Sequence, residues 1–354
     1  MELKILVEGL SMNLDDVSRI TQIDQSGMIN NIRKLPDQLL TGWNNSLELN
    51  IIEKINYENI FLGGFQENKI VIEILQLLIS PYYSKPFYAL KDNSLPDWSK
   101  TGNLVILKID ELTITDMETL ISKNLRGENE IVALVTNNGL KTRFSSYPIF
   151  VIEPNQSSFS RHTIGYDVMF LGGILFQLGL IPDLKKEILT CQENLGDAMH
   201  HFEIDIQSSL NPAKRLAGQM VGRWVKIVSS GSFLPLAKYW NQQINQSAKT
   251  LAFFEDISDL VDHSINGIIN PGSIVQQSLV VFIKSDLIEE KVSRLLDLTK
   301  EELMCYGIGT DIYQAHGSSL FSEIWNTILF GDYMAYYLAI AYQCDPEPLM
   351  IIEN

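Results

Sequence analysis

The chain reads as an α/β protein with two domains, each a parallel sheet flanked by helices in a three-layer αβα arrangement. Three observations predict this. At 354 residues the chain is longer than one hydrophobic core comfortably organises, so two domains are expected. Its strand-like segments are continuous apolar runs rather than alternating ones. Such strands are buried on both faces, which requires helices on either side of a parallel sheet. The strand–helix order also runs twice, before and after a Lys- and Glu-rich helical stretch at 184–215.

Taken in order, residues 1–55 form an N-terminal helical segment with polar breaks. Asp15 or Asp16 caps a helix, Asp24-Gln25-Ser26-Gly27 turns, and Pro36 restarts a helix toward Trp43. The first α/β domain, 56–183, opens with Asn59-Ile60-Phe61-Leu62 running into Gly63-Gly64. Further strands are expected at Lys85-Pro86-Phe87-Tyr88-Ala89-Leu90, Leu104-Val105-Ile106-Leu107, Ile131-Val132-Ala133-Leu134-Val135 and Ile149-Phe150-Val151-Ile152, with helices between them. A connecting helix covers 184–215 and ends near Asn211-Pro212. The second domain, 216–354, repeats the order. It has strands at 224–228, 278–283 and Cys305-Tyr306-Gly307-Ile308, a short strand or turn at 251–254, and a long final helix from Ser319 to about Tyr342.

Hydrophobic residues make up 45% of the chain and charged ones 20%, an ordinary globular balance. The formal net charge is -16. A surface so acidic repels nucleic-acid phosphates and anionic membranes, so neither is expected as a partner. Any phosphate site must therefore be local. The three cysteines, Cys191, Cys305 and Cys344, are far apart and lack metal-ligand spacing; reduced thiols in a cytoplasmic protein are expected. Met1-Glu2-Leu3-Lys4 opens no secretory signal pattern. The most apolar stretch, 168–180, is too short to span a bilayer and reads as a buried helix.

In parallel sheets, ligands sit at the carboxyl ends of strands, where glycine turns lead into helices. The candidate spots are Gly63-Gly64, 110–116, 136–139 and 229–233. His200-His201 has no neighbouring ligand type at metal spacing, and Ser318 or Ser319 caps the last helix more simply than it pairs with His316. The aromatics of 330–342 read as core or dimer contact.

Several segments appear in a telling order. Asp24-Gln25-Ser26-Gly27-Met28 is similar to D-P-S-G-M, Ser160-Arg161-His162-Thr163-Ile164-Gly165-Tyr166 to P-R-A-A-L-G-Y, and Asn211-Pro212-Ala213-Lys214 to N-P-A-K. Ser230-Gly231-Ser232-Phe233-Leu234, followed by Trp240, resembles G-S-G-F-L with its downstream Trp. Gly331-Asp332-Tyr333 with Tyr336-Tyr337-Leu338-Ala339 resembles G-D-F…Y-Y-L-A, and Asp345-Pro346-Glu347-Pro348 resembles D-P-x-P. These are segments of the bifunctional phosphoglucose/phosphomannose isomerases, which the chain resembles from about Asp24 to Pro348. The resemblance implies two SIS-type domains, a homodimer, no metal or organic cofactor, and aldose–ketose isomerisation of a hexose 6-phosphate. That reaction needs a phosphate cradle, a base, a ring-opening group and a cation facing the enediolate.

By the same match, Gly63 and Gly64 keep the first cradle turn, but Phe65 replaces its Ser. The second cradle loop falls on 110–119, where Thr113 and Thr115 supply hydroxyls while Asp110, Glu111 and Asp116 oppose a dianion. Thr136 and Gly139 retain a trace of the third turn. Asn245-Gln246-Ser247-Ala248-Lys249 lies on N-E-N-A-K, which puts Gln246 at the catalytic Glu position and Lys249 on the family Lys. An amide cannot accept and return a proton at neutral pH; Glu255, Asp256 or Asp259 would have to substitute. The ring opener falls on Asp262 without a gap, or on His263 with a one-residue shift. Arg161 matches the family cation, and its charge suits an enediolate or a helix-start salt bridge equally. A small phosphorylated sugar is the implied partner. Two functions follow: an isomerase with altered chemistry, or a non-catalytic sugar-phosphate-binding or regulatory homologue.

Overall fold

The structure is a computed structural model; it describes residues 13–49, 57–63, 69–83, 85–90, 95–99, 101–109, 114–124, 129–135, 137–147, 150–152, 162–267 and 269–347. The chain divides into two compact units, Leu35–Gln192 and the combination of Met1–Lys34 with Glu193–Asn354.

The chain opens with α1 (Val17–Ile23) and α2 (Met28–Ile32), both in the composite unit. Asp16 caps α1 by accepting from the Arg19 amide at 3.0 Å. Asp24 caps α2, accepting from the amides of Met28 at 2.7 Å and Ile29 at 3.2 Å. These bonds satisfy amide groups that a helix start leaves without partners.

The Leu35–Gln192 unit contains α3 (Leu35–Leu47), β1 (Asn59–Gly63), α4 (Lys69–Ile79), β2 (Phe87–Ala89), β3 (Asn103–Ile109), α5 (Ile114–Asn124), β4 (Glu130–Val135), α6 (Asn138–Phe144), β5 (Phe150–Ile152) and α7 (Ile164–Gln177). The strands form one sheet in the order β2-β1-β3-β4-β5, and every pairing is parallel. Central β3 is buried at every residue, as a strand covered on both faces must be. One face packs Val105, Leu107 and Ala133 against Met117, Leu120 and Leu140 of α5 and α6. Helices α3 and α7 pack backbone to backbone. A Cβ on Gly42 would lie 2.3 Å from the Tyr166 carbonyl oxygen, so only glycine permits that approach.

Helix α8 (Lys185–Phe202) carries the chain across the unit boundary. The composite unit continues with α9 (Pro212–Met220), β6 (Trp224–Ser229), α10 (Leu234–Ser247), β7 (Ala252–Asp256), α11 (Ile257–Asp262), α12 (Gly272–Gln276), β8 (Ser278–Lys284), α13 (Glu290–Cys305), β9 (Gly309–Gln314) and α14 (Leu320–Ala341). Its sheet runs β7-β6-β8-β9, again all parallel. Helix α14 is buried nearly all round, which marks it as the central helix of its unit.

Two expectations about elements are corrected. The segment Cys305-Tyr306-Gly307-Ile308 is not a strand: it ends α13. Gly307 sits at φ 77°, its amide bonds to the Met304 carbonyl at 3.0 Å, and the Ile308 amide reaches back to Leu303 at 3.1 Å. A left-handed glycine closing a helix in this way outweighs a short apolar run. The stretch 184–215 is not one helix. It breaks after Phe202, and Asn211-Pro212 begins α9 rather than ending α8. The Asn211 side chain accepts from the amides of Ala213 at 3.0 Å and Lys214 at 3.1 Å, and Pro212 occupies the first turn, where its missing N–H costs nothing. The short strand or turn at 251–254 is strand β7.

Among the described residues, no helix is long and apolar enough to cross a membrane, and the stretch from 168 lies in buried α7 as expected. The three cysteines are free thiols.

Candidate functional site

At the carboxyl edge of the first sheet, Gly63 closes β1. A Cβ there would lie 2.9 Å from Leu107 Cδ2 and 3.0 Å from Leu90 Cδ1, so packing also demands a small residue. Thr115 stands exposed in the first turn of α5, beside exposed Asp116. Asn137 caps α6, accepting from the Leu140 amide at 2.9 Å. Gly64, Phe65, Thr113, Thr136 and Arg161 lie outside the described residues.

Just after Arg161, the start of α7 is held by one amide side chain from α3. Gln38 Nε2 donates to the His162 carbonyl at 2.6 Å, and Gln38 Oε1 accepts from the Gly165 amide at 3.1 Å. Thr163 Oγ1 donates to buried Asp167 at 2.7 Å. This segment therefore carries a folding role of its own.

The glycine turn of the second sheet is already filled. Gly231, at φ 44°, donates its amide to Asp256 Oδ2 at 3.0 Å, and Asp256 also caps α11 through the Ser258 amide at 2.9 Å. Burial pushes the Asp256 carboxyl up, but the bonds from Ser258 and Gly231 prevail and hold it below its usual range. A phosphate at this turn would meet an ionised carboxylate on the same donor.

Gln246 lies half-exposed in the last turn of α10. This helix starts beside the carboxyl end of β6 and runs back along the sheet. Gln246 therefore stands roughly 18 Å along the helix axis from its start, at 1.5 Å per residue, toward the amino ends of the strands. Lys249, at φ 52°, directs its ammonium at three carbonyls: Asp345 at 2.8 Å, Pro346 at 3.0 Å and Ser247 at 3.1 Å. It ties the end of α10 to the segment after α14. Replacing Lys249 by Met is expected to lower stability by about 1–3 kcal/mol, since the carbonyls lose charge-assisted donors. Denaturant unfolding checks this, and an unchanged midpoint would count against a structural role.

His263 and Asp262 are both exposed at the end of α11. Of the carboxylates considered as substitute bases, Glu255 pairs with Lys226 at 2.7 Å and also accepts from Ser264 Oγ. Asp256 is engaged as described. Both are committed to structural partners.

Sequence reasoning missed one acidic group. Glu323, 4% exposed in the first turn of α14, accepts from Ser285 Oγ at 2.5 Å just past β8. Burial raises its carboxyl above the usual range, against the pull of Ser285 and His316. The only sequence signal was its place in an otherwise apolar helix. His200 and His201 are exposed on α8, and no cluster of metal-ligating side chains occurs among the described residues.

Several matched segments act as scaffold. Arg33 bonds Glu203 through Nε at 3.0 Å and Nη2 at 2.5 Å, and Tyr333 donates to the same carboxylate at 2.9 Å. Tyr336 donates to Asp24 at 3.2 Å. The Lys214 ammonium, fully buried, reaches the carbonyls of Ile206 at 2.7 Å and Ile204 at 2.9 Å. The aromatic end of the chain is core and anchor.

Two parallel sheets, each flanked by helices, with glycine turns at their carboxyl edges, define the class: an SIS-type α/β protein. Residues 209–354 match the family described as bacterial phospho-glucose isomerase C-terminal SIS domain. A bifunctional phosphoglucose/phosphomannose isomerase from Caldicellulosiruptor bescii is 23% identical over 332 residues, covering 92% of this chain and 97% of that protein. The Aquifex aeolicus protein of the same name is 22% identical, covering 77% and 81%. Among solved structures, a glucose-6-phosphate isomerase like protein from Thermus thermophilus superposes with a TM-score of 0.60 at 18% identity, covering 97% of this chain and all of that one. The C-terminal domain of glucosamine-fructose-6-phosphate aminotransferase from Francisella tularensis gives 0.65 at 12% identity, covering 91% and 98%. Along most of its length the chain is similar to the bifunctional phosphoglucose/phosphomannose isomerases, and its C-terminal part matches the bacterial phospho-glucose isomerase C-terminal SIS domain.

Proposed function

We propose that this protein binds a small phosphorylated sugar and that its isomerase turnover is lost or strongly reduced. The carrying observation is Gln246 at the position of the family Glu. Its amide hydrogen-bonds but does not shuttle a proton between two sugar carbons. Two features support the reading: of the three carboxylates that could substitute, Glu255 is held by Lys226 and Asp256 by the Gly231 turn, which leaves only Asp259, exposed on α11. In this reading 56–183 and 216–354 are the two SIS domains, joined through 184–215. Gly63, Gly64, Thr113, Thr115 and Thr136 approach the phosphate, Arg161 supplies the fixed cation, and His263 is the residual ring-opening group. The working form is a cytoplasmic homodimer.

The test is fructose 6-phosphate formation from glucose 6-phosphate and from mannose 6-phosphate, for the wild type and Gln246→Glu. The wild type is expected to turn over at least 10²-fold more slowly than the variant, the size of a general-base contribution. Robust wild-type turnover would sink the reading. Light scattering of the same preparation is expected to give a dimer, and a monomer at micromolar concentration would count against that part.

The second reading, an enzyme of altered chemistry, is favoured by Arg161, which matches the family cation. It predicts wild-type activity that Gln246→Glu does not raise.

A further inference from the structure

Helix α11 is only six residues long. It covers the carboxyl half of one face of the β7-β6-β8 sheet and then stops. The chain leaves through a 3-10 turn at Ser264–Gly267 and short α12 instead of continuing across the sheet. The uncovered half is a cavity of about 560 Å³. Its floor is Val280 and Lys226, its far wall is Leu303 and Ile308 from the end of α13, and its near wall is Leu260 of α11. Trp224 and Phe253 stack at the mouth with ring centroids 6.5 Å apart. They are unusually open for such large apolar rings, at 36% and 48% exposure.

The polar content of this cavity is small and balanced. Lys226 and Glu255 neutralise each other at 2.7 Å, and Ser264 donates to the same carboxylate. A second anion or cation would have to break that pair. The chain's net charge of -16 also disfavours an anion. The volume lies in the range of small-molecule sites, which are mostly apolar with a few convergent polar groups.

We propose that this cavity is a binding site for a neutral, largely apolar small molecule. Its flat body lies against Trp224 and Phe253, and one hydrogen-bonding end meets the Lys226–Glu255–Ser264 group. The proposal does not rest on the sugar-phosphate reading: none of its residues is one that reading places on the substrate, and Glu255 enters that reading only as a carboxylate already held by Lys226.

Nile Red, a neutral planar dye, tests it on the full-length protein. Saturable binding with one site per chain is expected, with the same affinity at two protein concentrations tenfold apart. Val280→Phe, which fills the floor, and Phe253→Ser, which removes a mouth ring at an exposed position, should each weaken binding at least tenfold. Leu210→Ser changes another exposed apolar residue, 73% exposed, and should leave binding unchanged. If Val280→Phe does not fold, Phe253→Ser with Leu210→Ser decides. No saturable binding, equal loss in Leu210→Ser, full binding in Phe253→Ser, or affinity that falls as protein concentration rises would overturn the proposal. The last result would mean that a second copy of the chain covers the cavity.

Discussion

Gly331→Ala is expected to destabilise the composite unit by about 2–3 kcal/mol, in the range of an overpacked core. A Cβ on Gly331 would stand 2.3 Å from Trp240 Nε1 and 2.4 Å from its Cδ1. The indole has nowhere to retreat. It is fully buried, packed 5.4 Å from the Phe330 ring and 5.0 Å from that of Tyr313, and its N–H donates to the Thr327 carbonyl at 2.8 Å. Alanine gains up to about 1 kcal/mol over glycine in helix propensity, but the overlap with a rigid ring is larger. Equilibrium urea unfolding reads the difference. Combining Gly331→Ala with Trp240→Phe should cost less than the two changes summed, because a smaller ring removes the collision. Wild-type stability in the single variant would refute this packing account.

Glu203→Gln is expected to cost roughly 1–3 kcal/mol at pH 7, since it withdraws the charge from a two-pronged guanidinium pair and from Tyr333. The figure is kept low because Arg33 is 36% exposed and partly screened by water. Burial pushes the Glu203 carboxyl up, but the bonds from Arg33 and Tyr333 outweigh it and hold the group below its ordinary 4.5. A carboxyl lowered in the folded state stabilises above its unfolded value and loses that contribution as pH falls through the folded one. The gap between wild type and variant should therefore be full at pH 7 and shrink below about pH 4.5, the group's ordinary value. Unfolding curves at pH 7 and pH 3.5 check it; a gap that does not change with pH would remove the charge from the explanation.

The architecture was legible because continuous apolar runs such as Ile131-Val132-Ala133-Leu134-Val135 have only one comfortable environment, the middle of a parallel sheet. Capping chemistry was legible at Asp16 and Ser319. It was misread at Asn211-Pro212, because Asn-Pro marks a break equally well whether a helix ends or begins there. At Gly307 a short apolar run masked a helix stop, and only the hydrogen-bond pattern distinguishes the two.

The sequence offered the candidate site only as residue types on a resemblance, with Gln246 proposed at the Glu position, Phe65 at the Ser position and acidic side chains across 110–116. What those side chains touch could not be read. Lys249 looks like a ligand in sequence and is a clamp on three carbonyls in the fold. Asp256 looks like a spare base and is the anion that fills the Gly231 turn. Glu323 carried almost no signal.

The sequence by itself determined the fold class and the family resemblance, because these depend on residue type and on order along the chain. Only the tertiary structure decided which polar groups are already engaged and where a helix stops short of covering its sheet. Hydrogen-bond partners and uncovered faces are set by distances between segments far apart in the chain, and no local pattern encodes those distances.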